Sequence, residues 1–346
     1  MPKIHSKFEI NGYLAEEFIA LTIADARLKK FQNEMKRFQN TTKFSFLTSG
    51  TTGKPKKIEF SIEQITSSVN ATHQRFGLFI GAVVWHALPL EYVAGKMMLY
   101  RALLCGYRLV VTVPVLTNSE IEKLPLVIDF APLVPLQVGK LVELGEFTTN
   151  RIKKVLIGGA PISDELERKL LEINSSGQFY ESFGSTESLT HIAVRNISQS
   201  DEFFKALPGV QFFIENDCLV ISAPTISEGK LRTNDIVDLK SATEFRWLGR
   251  ANNVINSGGI KLFPEQIEKK LKGTISVPFF IASRPSIKLG EEIILVIQSD
   301  KKLELVNLHK LLDKFERPKE IFYNEVFVST ESGKINRKAT LDSIQV

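Results

Sequence analysis

At 346 residues, 43% hydrophobic and 24% charged, the chain has the composition of an ordinary globular protein, and its length suggests about two domains. The formal charge is +5, from 44 cations against 39 anions spread along the chain without a basic block; nucleic acid is therefore not expected, and an anionic small molecule or plain solvated surface accounts for the excess. Cys105 and Cys218 are too few for a disulfide framework or a four-ligand zinc site, and no run reads as a secretion signal or a spanning helix, so a cytoplasmic protein without membrane insertion is expected.

The first distinctive element in chain order is FLTSGTTGKPKKIEF, residues 46 to 60, in which Thr48 to Pro55 are all Thr, Ser, Gly, Lys or Pro. Gly50 and Gly53 permit positive φ, the hydroxyls add donors and Lys54, Lys56 and Lys57 add charge, the makings of a phosphate cradle; a plain hairpin loop is the alternative. The spacing does not fit the nucleoside-triphosphatase pattern G-x-x-x-x-G-K-[ST], because the glycines are too close together and Pro55 follows Lys54.

Short β-branched runs at Arg108 to Val113 and Lys154 to Ile157, with helix-like segments between them, predict α/β architecture. In KKVLIGGAPISDELERKLLE a strand ends at Gly158-Gly159 and Ser163 caps a helix whose apolar face is Leu166, Leu170 and Leu171. Hairpins follow: Val210 to Ile214 with Cys218 to Ser222 across a turn at Glu215-Asn216-Asp217, and Ile236 to Leu239 with Phe245 to Leu248. Beyond Gly249-Arg250, Pro264 opens a helix carrying Ile267 and Leu271, strands fall at Phe279 to Ala282 and Ile293 to Ile297, a helix runs from Leu303 to Phe315 and a strand lies near Ile321. The expected domains are 1–249, a large α/β unit with mixed sheets, and 250–346, a small α+β cap.

Four further segments follow the glycine-threonine stretch: YESFGSTES at 180 to 188, LRTND at 231 to 235, GRANNVINSGGIKLFPEQIE at 249 to 268 and ESGKINRKA at 331 to 339. With these five in order, the chain resembles the adenylate-forming acyl-CoA synthetase superfamily, which includes luciferases and peptide-synthetase adenylation domains. TSGTTGKPK is similar to its phosphate loop, YESFGSTE to its aromatic-Gly-x-Thr-Glu motif, LRTND to its Thr-Gly-Asp motif, the 249–268 segment to its hinge and SGKINRKA to its C-terminal lysine motif. Most relatives carry over a hundred more residues before the phosphate loop. That short front, with LPLEYVAGKMM, TESLTHIA, RTND and INSGGIKLFPEQIE, looks most like the compact o-succinylbenzoate-CoA ligases of menaquinone biosynthesis.

The resemblance implies a two-step reaction in which a small-molecule carboxylate attacks the α-phosphate of ATP and coenzyme A then displaces AMP. By the same resemblance Thr48, Ser49, Gly50, Thr51, Thr52, Gly53 and Lys54 hold the β- and γ-phosphates, Thr186 contacts the α-phosphate and Glu187 binds Mg²⁺. Gly158, Gly159 and Ala160 lie along adenine and Phe183, beside Gly184, stacks on it; Asp235 takes the ribose hydroxyls and Arg250 the sugar or phosphate. Lys334 bridges the attacking carboxylate and the α-phosphate. The cap then rotates about Arg250 to Asn253, removing Lys334 and bringing Gly258, Gly259 and Lys261 to the pantetheine side.

For the acyl pocket, the resemblance implies Tyr92, Val93, Ala94, Gly95 and Lys96, with Ser188, Thr190 and His191; Lys96 or Arg101 offsets the second carboxylate of o-succinylbenzoate, unless these cations are merely solvated. Two departures stand out: Asn234 replaces the motif's usual Gly, and Asn252 replaces the hinge Asp or Lys. A homodimer is one way to cover the side left open by the short front. Two other functions remain open, a different aryl- or acyl-CoA ligase or carrier-loading adenylation enzyme, and a nucleotide-binding protein without turnover.

Overall fold

The computed structural model describes residues 1–48, 56–173, 176–303, 308–329 and 335–344. Ser49, Gly50, Thr51, Thr52, Gly53, Lys54 and Lys334 therefore lie outside the described residues.

Three parallel strands, Ala131–Leu133, Lys154–Ile157 and Gln178–Gly184, are continued antiparallel by His191–Asn196, Phe204–Ala206, Glu244–Arg250 and Asp235–Ser241. The parallel end joins a four-stranded sheet containing Val83–His86 and Arg108–Val111 through the bridge between Val84 and Phe130. Side chains alternate across this surface as the two-residue period of a strand requires. Val84, Leu156 and Tyr180 enter one core with the helices Ile62–Phe76 and Val93–Cys105; Trp85, Val155, Ile157 and Phe179 enter a second core with Pro135–Glu143 and Asp164–Glu172. Helices on both faces of a mixed sheet make this an α/β fold.

Local signals set several boundaries. Ser163 Oγ accepts from Leu166 N and starts the Asp164–Glu172 helix as expected. Its apolar face differs from the expected one: Leu166 and Leu170, four apart, pack inward, while Leu171, turned about 100° away by the helix period, is 45% exposed. Asn216 and Asp217, at φ 52° and 62°, form the two-residue turn that matches the twist of the Gln211–Glu215 and Cys218–Ser222 hairpin. Gly258 and Gly259, at φ 57° and 83°, do the same between Ile255–Ser257 and Ile260–Leu262.

The C-terminal unit is a sheet of these two short strands with Phe279–Ser286, Gly290–Gln298 and Glu320–Asn324. The run Ile293 to Ile297 is buried on both sides: Ile293, Leu295 and Ile297 pack with Ile267 and Leu271 of the Pro264–Leu271 helix, and Ile294 and Val296 pack with Phe280 and Phe327. The helix expected to run to Phe315 ends at Leu311. A turn in which Asp313 N donates to Glu316 Oε2 and Glu316 N to Asp313 O replaces its last part, with Pro318 close behind.

Two contacts fix the frame on which the candidate site sits. Gly184, opposite His191 in its ladder, has no room for a side chain; a Cβ there would fall 2.2 Å from Thr190 O and 2.6 Å from His191 Cα. Arg195 is 7% exposed and grips two acids, Nε donating to Glu181 at 2.5 Å and both terminal nitrogens to Glu167 at 2.6 Å. Lys269 of the C-terminal unit reaches Glu167 at 3.1 Å and Asp164 at 2.9 Å, which ties the two units together. Burial pushes the Glu167 carboxyl upward, but the hydrogen bonds and charge of Arg195, helped by Lys269, outweigh it and hold the pKa near 2.

Gly184→Ala is expected to lower the melting temperature by many degrees, because both clashing atoms are backbone, whereas Gly139→Ala, on an open helical face with nothing within 4 Å, is expected to be neutral or to stabilise by up to about 1 kcal/mol; thermal melts of both compare them. Because the folded pKa of Glu167 lies below the ordinary 4.5, its contribution is fully present above pH 4.5 and is lost as pH falls toward about 2. Glu167→Gln should therefore cost about 3 kcal/mol at neutral pH. The gap to wild type in denaturant titrations should close across that acid window.

Candidate nucleotide and acyl site

Strand ends and the loops after them carry the polar groups singled out in the sequence. The Lys43–Leu47 and Lys57–Ser61 strands pair, and their ladder is extended by Thr48, whose N donates to Lys56 O at 2.9 Å and whose Oγ1 accepts from Lys56 N at 3.0 Å. Thr48 and Lys56 are thus paired on either side of residues 49–55. At the carboxyl end of Lys154–Ile157, Gly158 lies against the next strand, where a Cβ would fall 2.5 Å from Ser182 Oγ; Gly159, at φ 88°, and Ala160 are exposed.

The loop from Gly184 to His191 carries Thr186 and Glu187. Glu187 is exposed and Thr186 half-buried. Ser188, expected in the acyl pocket, is fully buried and ties the loop together: its Oγ accepts from Ser185 N at 3.0 Å and lies 2.8 Å from Thr190 O. Leu189 is held at φ 66°, with its N donating to Thr186 O. That left-handed turn sends Thr190 and His191 inward while Glu187 stays outside. Phe183 is half-buried and packs edge-on against Phe245, with ring centroids 4.9 Å apart.

Asp235 is 4% exposed. Its Oδ1 accepts from Trp247 Nε1 at 2.9 Å and lies 3.2 Å from Arg250 Nε, while its backbone N donates to Thr233 Oγ1. The motif's Asn234 accepts from Ala251 N through its carbonyl, so its departure from Gly leaves the turn closed. Arg250 is exposed and ends its strand; Asn252 is exposed, and Asn253 donates to Glu265 of the following helix. Lys261 reaches Asp217 at 3.3 Å.

On the acyl side, Tyr92 is 63% exposed at the start of the Val93–Cys105 helix. Gly95 lets that helix press on residues 89–90, where a Cβ would fall 2.1 Å from Pro89 O, and its carbonyl accepts from His86. Lys96 Nζ sits over the Phe46 ring at 5.7 Å. Arg101 differs from the solvated alternative. It is 3% exposed, and its guanidinium donates only to Thr72 Oγ1 at 3.2 Å and Thr190 Oγ1 at 3.3 Å, with no carboxylate pairing it among the described residues. Burial lowers its pKa to about 10. His191 completes the group, with Nε2 and Nδ1 each 3.3 Å from the same two hydroxyls; burial and the Arg101 charge hold its pKa well below 6.5, so the ring is neutral at neutral pH.

Thr72 and Ser68 were not among the residues the sequence singled out. Both occupy the inward stripe of the Ile62–Phe76 helix, and Ser68 Oγ is buried without a hydrogen-bond partner among the described residues. Two hydroxyls on an otherwise apolar stripe are the signal that identifies them. Among the described residues no cluster of three or more metal-ligating side chains occurs, and no helix is long and apolar enough to cross a membrane.

The chain is similar to the 2-succinylbenzoate-CoA ligase of Lactococcus lactis subsp. lactis (strain IL1403), 26% identical over 318 residues that cover 84% of this chain and 69% of that protein. It is likewise similar to the ligase of the same name from Escherichia coli (strain K12), at 25% identity with 86% and 68% covered. Among solved structures it matches an acyl-CoA synthetase (AMP-forming)/AMP-acid ligase II-like protein from Dyadobacter fermentans DSM 18053, with TM-score 0.63, 29% identity and 95% and 98% of the two chains covered. It also matches the o-succinylbenzoate coenzyme A synthetase of Bacillus subtilis in complex with ATP and magnesium, with TM-score 0.73, 20% identity and 86% and 69% covered. The AMP-binding enzyme profile matches residues 21–221, more than half of the sequence, and on that ground the chain belongs to the AMP-binding enzyme family.

Proposed function

We propose that the protein is an AMP-forming ligase that activates o-succinylbenzoate as its acyl-adenylate and transfers it to coenzyme A. The observation that carries the choice of acid is Arg101. A buried guanidinium facing only hydroxyls costs several kcal/mol unless an anion joins it. An acid with one carboxylate to activate and a second to be recognised supplies that anion, with Thr72, Thr190 and neutral His191 around it. The names of the relatives agree with this reading.

In this reading the nucleotide lies along Gly158, Gly159 and Ala160, with Phe183 beside the base, Asp235 accepting from the ribose hydroxyls and Arg250 at the sugar or phosphate. Thr48 and segment 49–54 take the outer phosphates and Thr186 the α-phosphate. Glu187, an exposed carboxylate with phosphate oxygens as co-ligands, suits a magnesium ion, which supplies charge neutralisation when bound. A carboxylate and a triphosphate repel each other, so the chain's work is to hold them in line and offset their charge, and Lys334 is assigned to the charge that develops between them. After adenylation the cap turns about Arg250 to Asn253, and Gly258, Gly259 and Lys261 receive the pantetheine thiol that displaces AMP.

ATP-pyrophosphate exchange with a panel of acids tests this. Exchange is expected with o-succinylbenzoate and not with fatty acids, and thioester should form on adding coenzyme A. Arg101→Met should raise the KM for o-succinylbenzoate by about two orders of magnitude, the scale of one lost buried charge pair, and leave the KM for ATP unchanged. The same variant should be as stable as wild type or more so, because it removes a buried unpaired cation. Exchange driven equally well by acids with a single carboxylate would contradict the choice of substrate, and none with any acid would contradict the ligase.

A further inference from the structure

The Glu244–Arg250 strand is irregular where it faces Asp235. Asp235 pairs with Arg250 and Ile236 with Gly249, but Val237 pairs with Trp247, which leaves Leu248 as an extra residue. In a regular strand Trp247 and Arg250, three apart, would point to opposite faces. The bulge removes that offset. Asp235 and Val237 share a face, cross-strand partners share it with them, and Trp247 and Arg250 are thereby both aimed at the Asp235 carboxylate. The bulge is itself anchored: the carbonyls of Trp247 and Leu248 accept from Gln266 Nε2 at 3.2 and 2.9 Å.

We propose that Trp247 is a positioning residue for the nucleotide, its indole N–H fixing Asp235 through Oδ1 so that Oδ2 is left to accept the ribose hydroxyls. The inference rests on the reading of Asp235 given above. Both donors converge on Oδ1, and no described residue hydrogen-bonds Oδ2. The indole cannot swing away, since its ring is half-buried and packed on the main core. Arg250, with a side chain 51% exposed at the end of the strand, is a weaker restraint on the carboxylate than the indole. The chain thus gives one oxygen to its own donors and keeps the other for a ligand diol.

Calorimetric binding of ATP and of 2′,3′-dideoxy-ATP separates this from a merely structural bond. Trp247→Phe keeps the ring and removes the donor. It should weaken ATP about five- to tenfold, the worth of one ordinary hydrogen bond, leave dideoxy-ATP within about twofold and leave kcat within about twofold. Trp247→His, which retains a ring N–H, should recover part of the preference and serves the comparison if the Phe variant does not fold. Equal weakening of both nucleotides, or of neither, would overturn the proposal. Asp235→Ala is the control for the underlying reading: it should abolish the preference for ATP over dideoxy-ATP. A preference that survives Asp235→Ala would overturn the ribose assignment and this inference with it, whereas loss in Asp235→Ala without loss in Trp247→Phe would overturn the role of Trp247 alone.

Discussion

Between Gly184 and the Thr190–His191 backbone there is space for a hydrogen atom and nothing larger. That close approach lets the Gln178–Gly184 strand turn back on itself through a loop short enough to be closed by a single serine, Ser188. The loop has two sides. Glu187 is exposed and Thr186 half-buried, while Thr190 and His191 point into the protein toward Arg101. A larger residue at 184 would move both sides together, so the proposed nucleotide and acyl halves depend on one contact.

The electrostatics follow a common pattern on both halves. Asp235 is buried and restrained on one oxygen; Arg101 is buried and satisfied by hydroxyls alone. Arg101 is desolvated without being neutralised, which is costly in the empty protein and favourable toward an anion, whereas Asp235 is paired with the exposed Arg250 through Oδ1 alone. Arg195 marks the contrast. It is equally buried but gripped by Glu167 and Glu181, and it serves as frame, joined to the C-terminal unit through Lys269. Three buried charged groups in one domain thus differ in role according to their partners.

Much of this was legible in the sequence where the signal is local. The Ser163 cap, the turn at Asn216-Asp217 and the strand from Ile293 to Ile297 each depend on residues adjacent to one another, and the structure has all three. What escaped depends on distant chain. Leu171 reads as apolar as its neighbours and only the helix phase turns it outward. Arg101 lies in a helix buried nearly all round, so sequence alone could not separate a solvated cation from an enclosed one. The bulge at Leu248 leaves no mark in the order or composition of EFRWLGR, because it arises from pairing with another strand. The phosphate-loop and lysine motifs were the most legible of all, and residues 49–55 and 330–334 lie outside the described structure.

The central proposal is that side chains from the 184–191 loop, the Asp235 turn and the Gly158-Gly159 strand end surround one purine nucleotide. A crystal structure of the protein with Mg·ATP measures this directly. It should show both ribose hydroxyls within hydrogen-bond distance of Asp235, the base against Gly158–Ala160 and the metal on Glu187. A nucleotide bound elsewhere, or one whose ribose is out of reach of Asp235, would contradict the account.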